Sequence, residues 1–200
     1  MDYLIAILGG YLLGSIPFGI LLTRLAGLGD LRQVGSGNIG ATNVLRTGRK
    51  DVALATLILD AAKAATALTL AGHYLGSPSN PNLDVGFCAG ASALLGHCFP
   101  IWLKFCGGKG VATFFGTLLI GMWPVGVLVG GLWLATAYTF RYSSLSALVS
   151  SAAAPLIAVV FHISPIGVGA TLFMSLIVWI RHRENIARLI KGEEPHIGKH

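Results

Sequence analysis

The chain has 200 residues, of which 54% are hydrophobic and only 11% are charged, and its mean hydropathy is +0.74. Soluble domains carry about 25% charged residues, so this composition excludes a disordered chain, a secreted disulfide scaffold and an ordinary cytosolic enzyme. What remains is a single membrane-embedded domain covering residues 1–200. In that setting we read the net charge of +6 as cytoplasmic positive charge facing an anionic partner, with no role for nucleic acid.

Five uncharged or nearly uncharged stretches follow one another along the chain: Tyr3–Leu22, Val52–Gly72, Val85–Leu103, Val111–Phe140 and Ser143–Ile180. A single membrane span needs about 17–25 apolar residues. The first three stretches fit one span each. The last two are too long for one helix in a hydrocarbon core of roughly 30 Å.

Each long stretch contains a residue pattern that breaks a helix. Trp123-Pro124 divides the fourth stretch and His162-Ile163-Ser164-Pro165 divides the fifth, because proline lacks the amide hydrogen of a helix interior. The sequence therefore predicts an all-α polytopic membrane protein with seven transmembrane helices, some of them short. The N-terminus is expected outside and the C-terminus in the cytoplasm.

The distribution of charge favours this count. With seven helices, thirteen of the fourteen Lys and Arg residues fall on one side of the membrane, and the exception, Lys63, lies inside a span. Positive residues concentrate in cytoplasmic loops, so that side is predicted to be cytoplasmic. The thirteen are Arg24, Arg32, Arg46, Arg49, Lys50, Lys104, Lys109, Arg141, Arg181, Arg183, Arg188, Lys191 and Lys199.

A first polar cluster on that side runs from Gly35 to Arg46. Its glycines allow backbone N–H groups to approach a ligand, and Ser36 could cap a short helix whose N-terminus favours an anion. On such a helix Asn38, Thr42 and Arg46 would share one face. A solvated turn is the simpler alternative. The candidate residues are Ser36, Gly37, Asn38, Gly40, Thr42, Asn43 and Arg46.

A second cluster joins Gly96–Pro100 to Phe105–Thr113. Gly107-Gly108-Lys109-Gly110 resembles a phosphate loop but is not a Walker A motif, because Gly110 stands where Ser or Thr would bind magnesium. It offers backbone donors, one cation and the start of a helix, which together suit an anion. Lys109 could instead be a topological anchor, and His97 could be a helix-packing residue.

A third cluster, Arg181–Leu189, places His182, Asn185 and Arg188 on one face if the last helix continues beyond the membrane. The arginines alone could be a basic anchor on anionic lipid, but this does not explain the His and the Asn. Arg141–Ser144 forms a smaller polar group at the same side. The cysteines read as buried thiols, and no Cys/His spacing indicates a metal site.

Asp60 and Lys63 are a pair one helical turn apart inside the second span. Charges within a membrane span usually mark function, although opposite charges can also neutralise each other and fix helix packing. Both interpretations stay open. The residues alone therefore predict a membrane-embedded protein that handles a phosphorylated compound. The alternatives are a transporter or flippase, which polar clusters confined to one face disfavour, and a regulatory membrane protein.

In order and spacing, these clusters closely resemble the bacterial acyl-phosphate-dependent glycerol-3-phosphate acyltransferase family. The resemblance covers nearly the whole chain. It lies in Ser36-Gly37-Asn38 through Thr42-Asn43 to Arg46, Gly96-His97 through Pro100 with Gly107–Thr113, Arg181-His182 with Asn185-Ile186 and Arg188-Leu189, Tyr142–Leu145, and Asp60 with Lys63.

The resemblance implies transfer of a fatty acyl group from acyl phosphate to the 1-hydroxyl of glycerol 3-phosphate, giving lysophosphatidic acid and inorganic phosphate. This is the first step of bacterial phospholipid synthesis. It also implies seven helices in the bacterial inner membrane, an active site at the cytoplasmic face, and no requirement for acyl-CoA or acyl carrier protein. No cofactor or metal is expected.

We predict Ser36, Lys109 and His182 as catalytic residues. The predicted substrate-binding residues are Gly37, Asn38, Gly40, Thr42, Asn43, Arg46, His97, Gly107, Gly108, Gly110, Thr113, Ser143, Ser144, Asn185 and Arg188. Three groups could take the proton of the attacking hydroxyl: His182, Ser36, or an oxygen of the acyl phosphate itself.

Overall fold

The computed structural model describes residues 1–76 and 82–198, which form ten α-helices and no strand. Part of the loop between His73 and Asp84, and the predicted cytoplasmic cation Lys199, lie outside the described residues. The helices are α1 (Asp2–Gly14), α2 (Phe18–Leu25), α3 (Ala41–Leu45), α4 (Lys50–Tyr74), α5 (Leu83–Cys98), α6 (Val111–Gly121), α7 (Trp123–Phe140), α8 (Ser143–Val160), α9 (Pro165–Arg181) and α10 (Arg183–Lys191).

Five helical segments among these are long and apolar enough to cross a membrane: α1 with α2, α4, α5 with the turn that follows it, α7 and α8. A sixth candidate is α9 with α10, which are bent by 58° relative to each other. The helix α6 is apolar but has only 11 residues. A multi-pass helical membrane protein is thus confirmed, whereas the predicted seventh span and the orientation stay predictions.

The two predicted helix breaks are present. Helix α6 ends at Gly121 and α7 begins at Trp123, with Pro124 in its first turn, while α9 begins at Pro165. The first stretch differs from the prediction, because the helix stops at Gly14 and restarts at Phe18. Pro17 explains this break, since proline disfavours helical geometry in the residue before it.

Small residues let the helices approach closely. Gly10 and Gly14 of α1 lie against the backbone of Ala89 and Ala93 of α5, where a side chain on either glycine would overlap the facing carbonyl. Gly116 of α6 contacts the backbone of α4 in the same way. Lipid gives no hydrophobic force between helices, so such close van der Waals packing is what holds a membrane bundle together.

The two ends of the bundle carry different chemistry. At one end the side chain of Ser164, before α9, hydrogen-bonds Asp84 in the first turn of α5. The opposite end gathers the start of α6, the start of α8, helix α10 and the C-terminal residues after it. The second cluster, the third cluster and the smaller polar group Arg141–Ser144 therefore lie at this end of the bundle.

Gly10→Val tests the close approach of α1 and α5. The added side chain has to push two backbones apart, so we expect a loss of stability of about 1–3 kcal/mol, as for overpacked cores. Gly9→Val is the matched control, since Gly9 lies next to it on α1 with open space around it. Thermal unfolding in detergent should show a lower midpoint for Gly10→Val alone, and equal midpoints would contradict this packing.

Candidate active site

The loop before α6 is held by the end of α5. The N–H groups of Gly107 and Gly108 donate to the carbonyls of Cys98 and His97, at 3.1 and 3.0 Å. This corrects the expectation that these two N–H groups are available to a phosphate, because α5 already uses them. The donors still free of helical partners are those of the first turn of α6, which begins directly after Gly110.

Arg181 ties the same loop to α9. Its guanidinium donates to the carbonyls of Gly108 and Gly107, at 3.0 and 2.8 Å, and stacks over the ring of Phe99 at 5.2 Å. A planar guanidinium can bridge two adjacent carbonyls and an aromatic face at once. Arg181 was not among the predicted site residues, although its position beside His182 placed it in the third cluster.

Lys109 lies between this loop and α10. Its ammonium donates to the side-chain oxygen of Asn185, so these two predicted residues are brought together. Burial, together with repulsion from Arg188, lowers the pKa of Lys109 to about 8. The residue is thus a partly buried cation at the start of α6, where the helix dipole also favours an anion.

Glu194 is the acceptor at the centre of this end of the bundle. One carboxylate oxygen accepts from Asn185 and from Ser144, both at 2.6 Å, and the other accepts from Arg188 at 2.7 Å. Its exposed fraction is 7%. Burial alone would raise the pKa of Glu194, but the three hydrogen bonds outweigh it and leave the pKa below the ordinary value.

Sequence reasoning missed Glu194. The available signal was Gly192 two residues earlier, because glycine commonly ends a helix. In the structure Gly192 has a φ of +71°, ends α10 and turns the chain back toward α8. Nothing in the sequence distinguishes it from Glu193, which is exposed.

The residues that follow Glu194 run along the start of α8. The backbone of Ile197 exchanges hydrogen bonds with Arg141, at 2.7 Å to its carbonyl and 3.1 Å from its guanidinium. The rings of Tyr142 and His196 stack at 4.3 Å. Because these contacts fix the C-terminal segment, Glu194 is fixed as well. Ser144 takes part in this arrangement, and its predicted neighbour Ser143 starts α8.

His182 occupies the bend between α9 and α10. Its Nδ1 lies 2.7 Å from the carbonyl of Val178, and burial lowers its pKa to about 4. The ring is therefore neutral at pH 7, with the hydrogen on Nδ1 and an electron pair on Nε2.

The first cluster is organised around Asn43. Its amide donates to the carbonyls of Leu31, Val34 and Asn38, and its oxygen accepts from the N–H and hydroxyl of Ser36. Asn43 is buried, so its side chain shapes the loop.

The predicted cap on this loop is wrong. The residue before α3 is Gly40, whereas Ser36 lies four residues earlier and its side chain hydrogen-bonds Asn43. Helix α3 covers only Ala41–Leu45, so Asn38 lies before it and does not share a helical face with Thr42 and Arg46. Arg46 instead packs against Gly35.

Two predicted residues keep an unused polar atom. The buried side-chain oxygens of Asn38 and Thr113 have no hydrogen-bond partner within residues 1–76 and 82–198. A buried polar atom without a partner is costly, which suggests that a ligand supplies the missing bond. Within the same ranges, no hydrogen bond or ion pair joins the first cluster to the Lys109 network. His97 is turned into the bundle, as its helix-packing interpretation has it.

The family model described as glycerol-3-phosphate acyltransferase matches residues 4–192. The chain belongs to this family.

The curated relatives include the glycerol-3-phosphate acyltransferase of Caulobacter vibrioides strain NA1000, which is 60% identical over 98% of this chain and 88% of its own length. The enzyme of the same name from Maricaulis maris is 58% identical over 98% of this chain and 87% of its own length. Among solved structures, the fold is similar to a crystal structure of PlsY, described as an integral membrane glycerol 3-phosphate acyltransferase, in its glycerol 3-phosphate form. That match has a TM-score of 0.89 and 34% identity, and it covers 99% of this chain and 96% of PlsY.

Glu194→Ala tests whether the carboxylate holds this end of the bundle together. Asn185, Ser144 and Arg188 would each lose an acceptor, and an unsatisfied buried polar group costs about 1–3 kcal/mol. We expect a clearly lower thermal midpoint in detergent. Glu193→Ala, the same change at the exposed neighbour, should leave the midpoint unchanged, and similar midpoints for the two variants would contradict the assignment.

Proposed function

We propose that this protein transfers a fatty acyl group from acyl phosphate to the 1-hydroxyl of glycerol 3-phosphate and releases lysophosphatidic acid and inorganic phosphate. The names of its relatives support the acceptor and the reaction class. The observation that carries the proposal is the partly buried ammonium of Lys109, held by Asn185 at the positive end of α6. Such a group favours a bound phosphate.

The proposed location is the bacterial inner membrane, with seven spans, the N-terminus outside and the site at the cytoplasmic face. Thirteen of fourteen Lys and Arg residues fall on one side in that arrangement. Helix α6 would be the short seventh span. In support, Asp84 and Ser164 meet at the end opposite Lys109.

Both substrates are anionic, so their mutual repulsion has to be offset by cations. Lys109 and Arg188 lie in one network with Glu194, and Arg46 contributes a third cation from the first cluster. We assign Arg46 to the phosphate of glycerol 3-phosphate and Lys109 to the reacting phosphate. The glycines Gly37, Gly40 and Gly110, with Asn38, Thr42, Thr113 and Ser143, complete the proposed binding residues.

In the proposed reaction the 1-hydroxyl oxygen forms a bond to the acyl carbonyl carbon, and the bond from that carbon to the phosphate oxygen breaks. Acyl phosphate is an activated mixed anhydride, so the reaction needs no covalent enzyme intermediate, metal or cofactor. The acyl chain would enter between helices from the bilayer. Holding the hydroxyl against the carbonyl in the correct orientation accelerates the reaction, and Lys109 stabilises the charge on the departing phosphate.

The pKa of His182 bears on the proton. A group with a pKa of about 4 is a weak acceptor at pH 7, where an effective general base has a pKa near the working pH. Among residues 1–76 and 82–198, the hydroxyl of Ser36 hydrogen-bonds the amide oxygen of Asn43 and no basic side chain. We therefore assign the proton to an oxygen of the departing phosphate, while His182 orients the hydroxyl through Nε2.

The identity of the acyl donor is directly testable. Purified protein in detergent should form lysophosphatidic acid from glycerol 3-phosphate with acyl phosphate, and acyl-CoA should not replace it. EDTA should have no effect, because the cations of the site are side chains. Activity that disappears in EDTA and returns with Mg²⁺ would contradict the metal-free mechanism. Product formed without a second compartment also separates an enzyme from a transporter.

Lys109→Arg separates a phosphate ligand from a membrane anchor. A bulkier planar guanidinium does not replace the compact ammonium bound to Asn185, so we expect a loss of activity of about 10²-fold, comparable to removing one transition-state donor. Lys104→Arg, the same change at an exposed lysine five residues earlier, should be neutral.

The pH profile is a second test of Lys109. Its ammonium loses its proton as the pH rises through about 8, so wild-type kcat/KM should fall above that pH. The residual activity of Lys109→Arg should lack this decline. If a folded Lys109→Arg variant has the same kinetics as the wild type, Lys109 is a membrane anchor and not a phosphate ligand.

His182 variants distinguish an orienting group from a base. If His182 only accepts a hydrogen bond, His182→Gln should retain most of the activity, and His182→Ala should lose about tenfold, the equivalent of one hydrogen bond. A general base would cost about 10²–10⁴-fold in both variants. Steady-state kinetics with acyl phosphate make the comparison, and equally large losses would contradict the substrate-phosphate route.

A further inference from the structure

The ion pair inside α4 has a third member on another helix. The ammonium of Lys63 lies 2.8 Å from Asp60, 2.9 Å from the carbonyl of Ile16 and 2.9 Å from Nδ1 of His97. These neighbours belong to α4, to the break between α1 and α2, and to α5. The ammonium donates hydrogen bonds to the carbonyl of Ile16 and to Nδ1 of His97, and it forms an ion pair with Asp60.

This contact determines how His97 is protonated. An ammonium donates and cannot accept, so Nδ1 of His97 must accept and the ring hydrogen lies on Nε2. Asp60 is 3.5 Å from the same nitrogen, farther than Lys63. The buried pair therefore fixes both the tautomer and the orientation of the imidazole.

The other side of the imidazole supports the loop of the site. A methyl group on Gly108 would overlap Nε2 of His97, which shows that the ring lies directly against that glycine. The carbonyl of His97 also accepts the N–H of Gly108 at 3.0 Å. Ring and carbonyl together fix the backbone immediately before Lys109.

We propose that Asp60, Lys63 and His97 are positioning residues for the acyl transfer. The ion pair orients the His97 ring, the ring and carbonyl of His97 place Gly108, and Gly108 places the ammonium of Lys109. This inference rests on the proposed function of Lys109. It assigns the intramembrane pair a role in the reaction that mutual neutralisation alone would not have.

The test compares Lys63→Met with the double variant Asp60→Asn/Lys63→Met. The double variant leaves no unpaired charge in the membrane, so it should fold even if Lys63→Met does not. We expect its KM for acyl phosphate, whose phosphate Lys109 binds, to rise about tenfold, the effect of one lost hydrogen bond to a charged group. Lys50→Met, the same change at the exposed start of α4, is the control and should keep the wild-type KM.

The KM is the informative quantity. A merely structural role lowers the number of active molecules, and therefore the apparent kcat, but leaves the KM of the folded enzyme unchanged. A double variant with the wild-type KM overturns the proposal. Lys109→Ala, measured in parallel, tests the site itself, because wild-type kinetics of this variant would overturn the proposed function of Lys109. A defect in Lys109→Ala together with a wild-type KM in the double variant would overturn only the positioning role.

A mutant cycle between His97 and Gly108 tests the second contact. Gly108→Ala should raise the KM for acyl phosphate in the wild-type background, because its methyl group meets the imidazole. In His97→Asn, which keeps an oxygen for Lys63 but lacks the far side of the ring, the same alanine should add little. Additive effects of the two substitutions would show that the ring does not place the loop, since residues in contact do not add.

Discussion

Where Gly10 and Gly14 meet Ala89 and Ala93, the backbones of α1 and α5 touch without side chains between them. In lipid this is the main way to hold helices, because burying apolar side chains against each other gains nothing over burying them in acyl chains. A helix packed through glycine has little freedom to slide or rotate. The register of α5 is set in this way, and the loop carrying Lys109 is bonded to the end of α5.

At the end of the bundle that holds Lys109, charge is balanced by the placement of the ionic partners more than by their number. The proposed site needs cations to hold two phosphates, yet cations gathered without an anion would repel each other. Glu194 resolves this by accepting from Arg188 and Asn185, while Lys109, within the part of the chain that the structure describes, hydrogen-bonds just the neutral oxygen of Asn185. The network is thereby rigid, and the ammonium keeps its charge available to a substrate.

The glycines of the second cluster have a role that differs from the one their pattern suggests. In a phosphate loop, glycine allows backbone donors to approach the ligand. Here Gly107 and Gly108 donate to α5, and Gly108 is needed because the ring of His97 occupies the space of a side chain. The polar contacts proposed for the substrate then come from side chains and from the first turn of α6. This explains how a loop unlike a Walker A motif can still prepare an anion site.

The sequence by itself determined the membrane class, the two breaks at Trp123-Pro124 and before Pro165, and the family. These follow from hydropathy, proline chemistry and the spacing of motifs, which are local properties of the chain. It did not determine the roles of Asn43, Glu194 or His97. Glu193 and Glu194 are adjacent residues of the same type. The turn at Gly192 and the contacts with Ser144, Asn185 and Arg188 bury Glu194 and leave Glu193 exposed. The same holds for Lys63, whose partner His97 lies 34 residues away on another helix. Such contacts arise from the packing of helices distant in sequence, so the tertiary structure alone decided them.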